Sequence, residues 1–392
     1  MGLNVLFKDG SISEKIMTII YLTGELPYNT LQYLGKNRLS SQRTVRTLME
    51  KEYIKQEYVY KKRTLLLNTD KQVHYEPFPC ALQEYELNVS EIYHKGNSRN
   101  SRMRRLRNML LAKTFAFMLE SEVAIVPAYK PSLVNYNISK SDIAFYSAKS
   151  IKRQMPHEAK RASSTRAMGV LAFQHKLLMV YHFDKVSQAI SMPAERMARA
   201  KLETTMNGCS SYYKETSSVA LIEDSIILTS GYSKVLHELV TGYRKGTKTP
   251  VPFATDNMFT KHYLIPLDRE GISLLKMMVL EYGIDILYAL PFTEAEINRR
   301  GSGQKASDAR SEDGTFLLNF LIPDAKKLKR FLNGAHTSAR KQTDERFLIH
   351  CYDFQVEALK MLKAENVELK VYKMETVYSN FLNAHRSLEE RR

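Results

Sequence analysis

Cysteine is scarce in this chain, and the three present, Cys80, Cys209 and Cys351, stand far apart and odd in number. That pattern encodes neither a disulfide framework nor a thiolate metal site. Long apolar runs are missing too, none approaching the roughly 20 residues that cross a bilayer. The opening stretch, "MGLNVLFKDGSISEK", lacks the apolar segment of a secretory leader. Leu6 stands where N-terminal acylation at Gly2 wants Ser or Thr. These absences lead us to expect a cytoplasmic protein with no membrane partner. Acidic residues are outnumbered: 42 Asp and Glu face 58 Lys and Arg, a formal net charge of +16 over 392 residues. Such an excess points to a polyanionic partner, because cations that neutralise phosphates release condensed counterions. The same total also fits a merely basic protein, so placement of the cations decides the matter.

Catalytic motifs are equally sparse. No His-apolar-His pair supplies the metal site of common rolling-circle initiators. Neither "GYRKGTKT" (242–249) nor "RRGSGQKAS" (299–307) has the P-loop spacing, and both read as cationic loops. No G-x-G-x-x-G follows a strand, and no G-x-S-x-G elbow occurs. Nucleotide and ester hydrolysis are therefore disfavoured, and no cofactor is expected.

What is present begins at the N-terminus. In "ISEKIMTIIYLTG" (12–24), Ile12, Ile16, Ile19, Ile20 and Leu22 recur at helical spacing, with Ser11 or Ser13 as N-cap and Gly24 as stop. A short segment, "PYNTLQYLG", follows. Ser40 or Ser41 then caps a third helix, with Val45, Leu48 and Met49 inward and Gln42, Arg43, Arg46 and Thr47 outward. After Glu52 the period becomes two through Ile54, Gln56, Tyr58 and Tyr60, and a basic tip, Lys61, Lys62 and Arg63, leads into Thr64 to Leu67. Three helices and a basic hairpin form the layout of a winged helix-turn-helix domain over 1–75. There Arg43 and Arg46, with Gln42 and Thr47, would read base edges. Lys61, Lys62 and Arg63 would hold phosphates.

A polar connector spans 76–100. A helix then opens with Arg99, Arg102, Arg104, Arg105 and Arg107 crowding its first turns. Cations there oppose the helix dipole, a cost that a bound phosphate or a nearby acid would offset. Short β-type runs follow: "EVAIVPAY", "DIAFYS", and the pair "RAMGVLAF" and "LLMVYHFD", a hairpin joined by "QHK". "MPAERMARAKLETTM" reads as a helix and "SSVALIEDS" as a strand. From 217 to 375 apolar strands ("VALIED", "HYLIPL", "IDILYAL", "FLLNFLI", "FLIHCYD", "ELKVYKM") alternate with helices, predicting a mainly parallel covered sheet. Residues 294–314 read as an exposed loop, and the tail after 376 as a helix. The expected fold class is α/β. Its domains are 1–75, a 101–225 unit and a 226–392 C-terminal unit.

The order helix, strand, strand pair, helix, strand over 102–224 also fits a restriction-nuclease-like core, in which acids on neighbouring strands hold Mg²⁺. Candidate acids are Glu120, Glu122, Asp142 and Asp184. However, Ser150-Ile151-Lys152 has serine where the second carboxylate belongs, and Asp184-Lys185 lacks the spacing. Glu368-Leu369-Lys370 is read as a chance match. Asp268, Asp324 and Asp353 follow strands at the carboxyl edge, where ligands bind in open α/β sheets; helix caps are the plainer reading. His350 reads as a core residue.

Taken together, the N-terminal winged-helix pattern, the Arg-rich helix, "KPSL" (130–133), "AFYSAKSIKR" (144–153), "SSTRAMGVL" (163–171) and "HCYDFQVEALK" (350–360) resemble DNA-processing proteins of bacterial plasmids and integrative conjugative elements, of the replication-relaxation type. The resemblance implies a nuclease-like C-terminal part and binding of double-stranded DNA at an origin of transfer or replication. It also implies relaxosome or replication proteins as partners. A homodimer is compatible with this. The alternatives are a nickase or relaxase dependent on Mg²⁺ or Mn²⁺, and a transcriptional regulator whose α/β domain senses a small molecule.

Overall fold

The computed structural model describes residues 10–35, 38–68, 102–125, 143–148, 150–151, 165–174, 176–183, 190–209, 221–299 and 306–390. The described residues fold as an α/β protein with three sheets.

Helix α1 (Ile12–Thr23) starts where Ser11 Oγ accepts from Glu14 N and stops at Gly24, whose φ of 86° is left-handed. It buries Ile16, Ile19 and Ile20 completely. A two-residue strand β1 (Leu26–Pro27), one 3₁₀ turn (Tyr28–Gln32) and α2 (Arg38–Glu50) follow. The hairpin β2 (Ile54–Val59) and β3 (Lys62–Leu67) completes the module. Its sheet runs β1-β3-β2, antiparallel throughout. The expected second helix is thus a single 3₁₀ turn, and the third begins at Arg38, before Ser40. Strand β2 also departs from strict alternation. Ile54 and Val59, an odd number of residues apart, are both buried, while Tyr58 is 74% exposed.

Helix α3 (Arg102–Glu120) packs along α1 and onto a five-stranded sheet. That sheet runs β4 (Ala144–Ser147), β5 (Gly169–Phe173), β6 (Lys176–His182), β7 (Asp224–Thr229) and β8 (Lys261–Pro266). Neighbours β4/β5 and β5/β6 are antiparallel, and β6/β7 and β7/β8 are parallel. Helix α4 (Met192–Cys209) links β6 to β7; α5 (Tyr232–Thr241) and the short α6 (Pro252–Thr255) link β7 to β8. From "EVAIVPAY" the described part gives only a bridge between Ala124 and Ala144.

Helices α7 (Arg269–Val279), α8 (Gly283–Ala289) and α9 (Glu294–Asn298) lead to a second sheet. It contains β9 (Ala309–Arg310), β10 (Phe316–Asn319), β11 (Phe347–Tyr352) and β12 (Val367–Tyr372) in the order β12-β11-β10-β9. Helix α10 (Ala325–Arg340) joins β10 to β11. A 3₁₀ turn and α11 (Val356–Lys360) join β11 to β12, and α12 (Met374–Glu389) closes the described chain. The parallel strands expected in one sheet are therefore divided between two. The five-stranded sheet meets the link between β10 and α10, where Tyr263 of β8 bridges Asp324 and Leu264 N donates to Pro323 O at 3.0 Å.

Three local expectations change. "IDILYAL" is helix α8, because Ile286 and Leu287 need bury only one side. A short apolar run of that length is ambiguous between strand and buried helix. Of the strand expected at 218–224, residues 218–220 lie outside the described residues and 221–223 are not strand; β7 starts at Asp224, and its polar Ser225 is accommodated inside by a 2.7 Å bond to His262 Nδ1. A boundary at 225/226 would accordingly cut β7. Within 294–314, Thr293 and Glu296 form a capping box that starts α9, and β9 pairs with β10.

One continuous core runs from the N-terminal module through Leu110, Phe115 and Phe117 of α3. It continues over Leu178, Val180 and Ile226 of the sheet to α7 and α12. The opposite side of the sheet, with Met179, Tyr181 and Ile227, packs on α5 and α10. In that second layer Glu195 is wholly buried. It accepts from Thr165 Oγ1 at 2.6 Å, Tyr181 Oη at 3.0 Å and Arg166 N at 2.5 Å. These donors are what allow a carboxylate to sit there.

Candidate nucleic-acid interface

Helix α2 is amphipathic because its apolar residues recur every three or four positions. Val45 and Leu48 turn inward and Ser41 Oγ, also buried, donates to Leu34 O at 2.6 Å. The opposite face is left to Arg43 and Arg46, both exposed, with Gln42 and Thr47 half-buried at its flanks. Thr47 Oγ1 donates to Arg43 O at 3.2 Å, one turn back along the helix. Arg46 makes a 3.6 Å ion pair with Glu50, and its side chain is 83% exposed. Exposed i,i+4 pairs of this kind contribute only about 0.3–0.5 kcal/mol, so the pair yields readily to a phosphate or base.

The hairpin turn is formed by Tyr60 and Lys61, with φ of 49° and 65°, between the paired residues Val59 and Lys62. Two positive φ values define the type I′ turn whose twist matches a hairpin, although Asn-Gly is the usual filling. Lys61 and Lys62 are exposed at this tip, beside the exposed rings of Tyr58 and Tyr60. Arg63 is placed differently. It lies on β3 with its guanidinium 3.7 Å from the Tyr28 ring centroid and its Nε donating to Gln56 Oε1. Its charge borders the tip from a fixed position.

The arginines of α3 divide. Arg105 donates to Glu25 Oε2 at 3.2 Å and Arg107 donates to Ala167 O at 3.1 Å. Burial lowers the Arg107 pKa, Arg166 adds to that, and Glu195 opposes it. Arg105 and Arg107 are thus engaged within the fold; Arg104 lies at the surface. Arg99 and the side chain of Arg102 lie outside the described residues.

Of the four candidate metal acids, the two that are described each meet a lysine. Glu120 pairs with Lys15 at 2.6 Å and Glu122 with Lys276 at 2.6 Å. Asp142 and Asp184 lie outside the described residues. Among the described residues no three His, Cys, Asp or Glu side chains are grouped to hold a metal. Asp268 and Asp324 are N-caps, accepting from Gly271 N at 2.9 Å and Lys326 N at 3.0 Å. Burial pushes Asp268 up to about 6 and raises Asp324. Asp353 accepts from its neighbour Phe354 N at 2.9 Å. His350 is a core residue bonded to Tyr372 Oη at 2.8 Å.

The sequence singles out the cations of α2 and the tip but misses the aromatic frame around them. Period-two alternation puts Tyr58 on the inner face of β2, and nothing near Tyr28 in the sequence marks it as the platform for Arg63. No described helix is long and apolar enough to cross a membrane. No family model, curated protein or solved structure matches the chain.

Proposed function

We propose that the chain is a double-stranded-DNA-binding protein of a mobile genetic element, acting at an origin of transfer or replication. Residues 10–68 would dock as a winged helix. Helix α2 enters the major groove and the Tyr60–Lys61 turn lies on the phosphate backbone. The observation that carries this reading is the pairing of two cationic features on one module. Arg43 and Arg46 line the outer face of α2, and Lys61 and Lys62 line the adjoining hairpin turn. The succession of helix, short strand, 3₁₀ turn, helix and hairpin, with the sheet order β1-β3-β2, supports it. The net charge of +16 supplies the long-range attraction.

The path α3-β4-β5-β6-α4-β7, two antiparallel pairings followed by a parallel one, favours a nuclease-like body that serves as a scaffold. Cleavage by this chain has little support, since Glu120 and Glu122 are tied to lysines and Ser150 replaces a carboxylate.

The test is equilibrium binding to DNA from the element that encodes the protein, measured across a salt series. Replacing Arg43 and Arg46 by alanine is expected to weaken the preferred site by about 1–3 kcal/mol for each base that is no longer read. Replacing Lys61 and Lys62 is expected to weaken all sequences alike. Unchanged affinity in the Arg43→Ala/Arg46→Ala protein would remove α2 from the interface.

A further inference from the structure

Between α5 and α6 the chain makes a small closed loop. Val251 N donates to Gly242 O at 2.8 Å, Arg244 N to Thr249 O at 3.0 Å and Thr247 N to Arg244 O at 3.0 Å. Tyr243 and Pro250 form an antiparallel bridge at its base. The Thr247–Arg244 bond closes a four-residue turn. Gly246, at φ 78°, fills the third place, where a type II turn requires a positive φ. These bonds pre-shape the loop.

Its charge is one-sided. Arg244, Lys245 and Lys248 lie within 242–251, and that stretch contains no acid. None of the three forms an ion pair among the described residues; Lys245 Nζ instead rests on the Met361 sulfur at 3.5 Å. The Tyr243 ring beside them is 51% exposed. Helix α10 adds to the patch. The Lys329 ammonium lies 3.6 Å from the point where a side chain on Gly242 would begin, and Arg330 is exposed one residue further on. Unpaired cations around an exposed aromatic ring are suited to a phosphate backbone.

The location matters as much as the charge. Helices α5 and α10 pack through Val235, Leu239, Leu328 and Phe331 on the side of the five-stranded sheet that carries Tyr181 and Ile227. Helix α3 and the N-terminal module pack on the other side, over Val180 and Ile226. A sheet with a helical layer on each face separates the two cationic surfaces.

We propose that the 243–249 loop, with Lys329 and Arg330, is a second duplex-DNA contact through phosphates, so that one molecule bridges two DNA segments. The proposal rests on DNA binding by α2 and the hairpin. A sequence-independent contact on one face would hold a second stretch of DNA while α2 occupies its site on the other.

The experiment uses the full chain and two duplexes of about 30 bp and mixed sequence, one fixed to beads and one fluorescent and free, at about 50 mM NaCl, where phosphate contacts are strong. Wild-type protein on the beads is expected to capture the free duplex. Arg244→Ala/Lys245→Ala/Lys248→Ala should load the beads normally but capture at least about tenfold less, with a log–log salt dependence of total binding shallower by about two to three. Lys245→Glu/Lys248→Glu, confined to exposed positions, should behave likewise if the first variant melts early. Capture at the wild-type level by both variants would overturn the second contact and leave α2 as the interface. Failure of wild type to load the beads would overturn the α2 reading itself, and the bridging proposal with it. Loading abolished only in the loop variants would place the primary contact on the loop and overturn the α2 assignment.

Discussion

Arg105 of α3 and Glu25, in the turn after α1, meet at 3.2 Å although they are 80 residues apart, and the carboxylate side chain is only 4% exposed. This contact explains how arginines come to crowd a helix N-terminus that repels cations. For Arg105 the offset is a buried acid rather than a ligand. Burial raises the Glu25 pKa, while Arg105 and then Asn108 pull it back down. We expect Arg105→Ala to destabilise the protein by about 1–3 kcal/mol, because it leaves a buried carboxylate without its charged partner. The salt dependence of DNA binding should stay at the wild-type value. Urea denaturation and fluorescence anisotropy check the two halves separately.

In the proposed DNA complex, the β2–β3 turn sets stability against binding. Tyr60 and Lys61 both occupy left-handed backbone conformations without being glycine or asparagine. Replacing the pair by Asn-Gly should stabilise the protein by about 1 kcal/mol, since these residues suit a type I′ turn. The same change removes the Lys61 cation and should flatten the salt dependence of DNA binding by about one. A rise in melting temperature with weaker binding is the expected combination.

Two buried histidines set an acid limit to stability. Burial and the nearby Lys326 push His262 down to about 3, and burial with Lys370 pushes His350 down to about 4. Both therefore stay neutral in the folded protein while the unfolded chain takes up protons below about 6.5. Their contribution is complete above that pH and is lost as pH falls toward 4, at about 1.4 kcal/mol per pH unit for each group. Asp268, raised to about 6, acts in the opposite sense and favours the folded state as pH falls from about 6 toward 4. In His350→Phe, the proton uptake on unfolding between about pH 4 and 6.5 should fall by about one. Denaturation series at several pH values measure it.

Much of this was legible in the sequence because it is local. Ser11 and Gly24 bracket α1 as their chemistry requires, the β5–β6 hairpin is found where two apolar runs meet a short polar link, and Asp268 and Asp324 cap the helices that follow them. The exposed faces of α2 and of the hairpin tip follow from the same short-range pattern. What could not be read depends on distant residues. The assignment of Arg105 to Glu25, of Glu120 to Lys15 and of Glu122 to Lys276 is made by packing across 80 to 154 positions. These pairings decide which cations and acids remain for function. The division of the parallel strands into two sheets has the same origin, because strand periodicity gives no information about which strand is the neighbour.

The most direct measurement is ultraviolet cross-linking of the 392-residue chain to duplex DNA of the mobile element proposed to encode it, followed by mass spectrometry of the adducts. The account predicts adducts on the α2 stretch around Gln42 to Thr47 and on the hairpin tip around Tyr58 to Lys62. A complex whose adducts all fall outside residues 38–63 would contradict it.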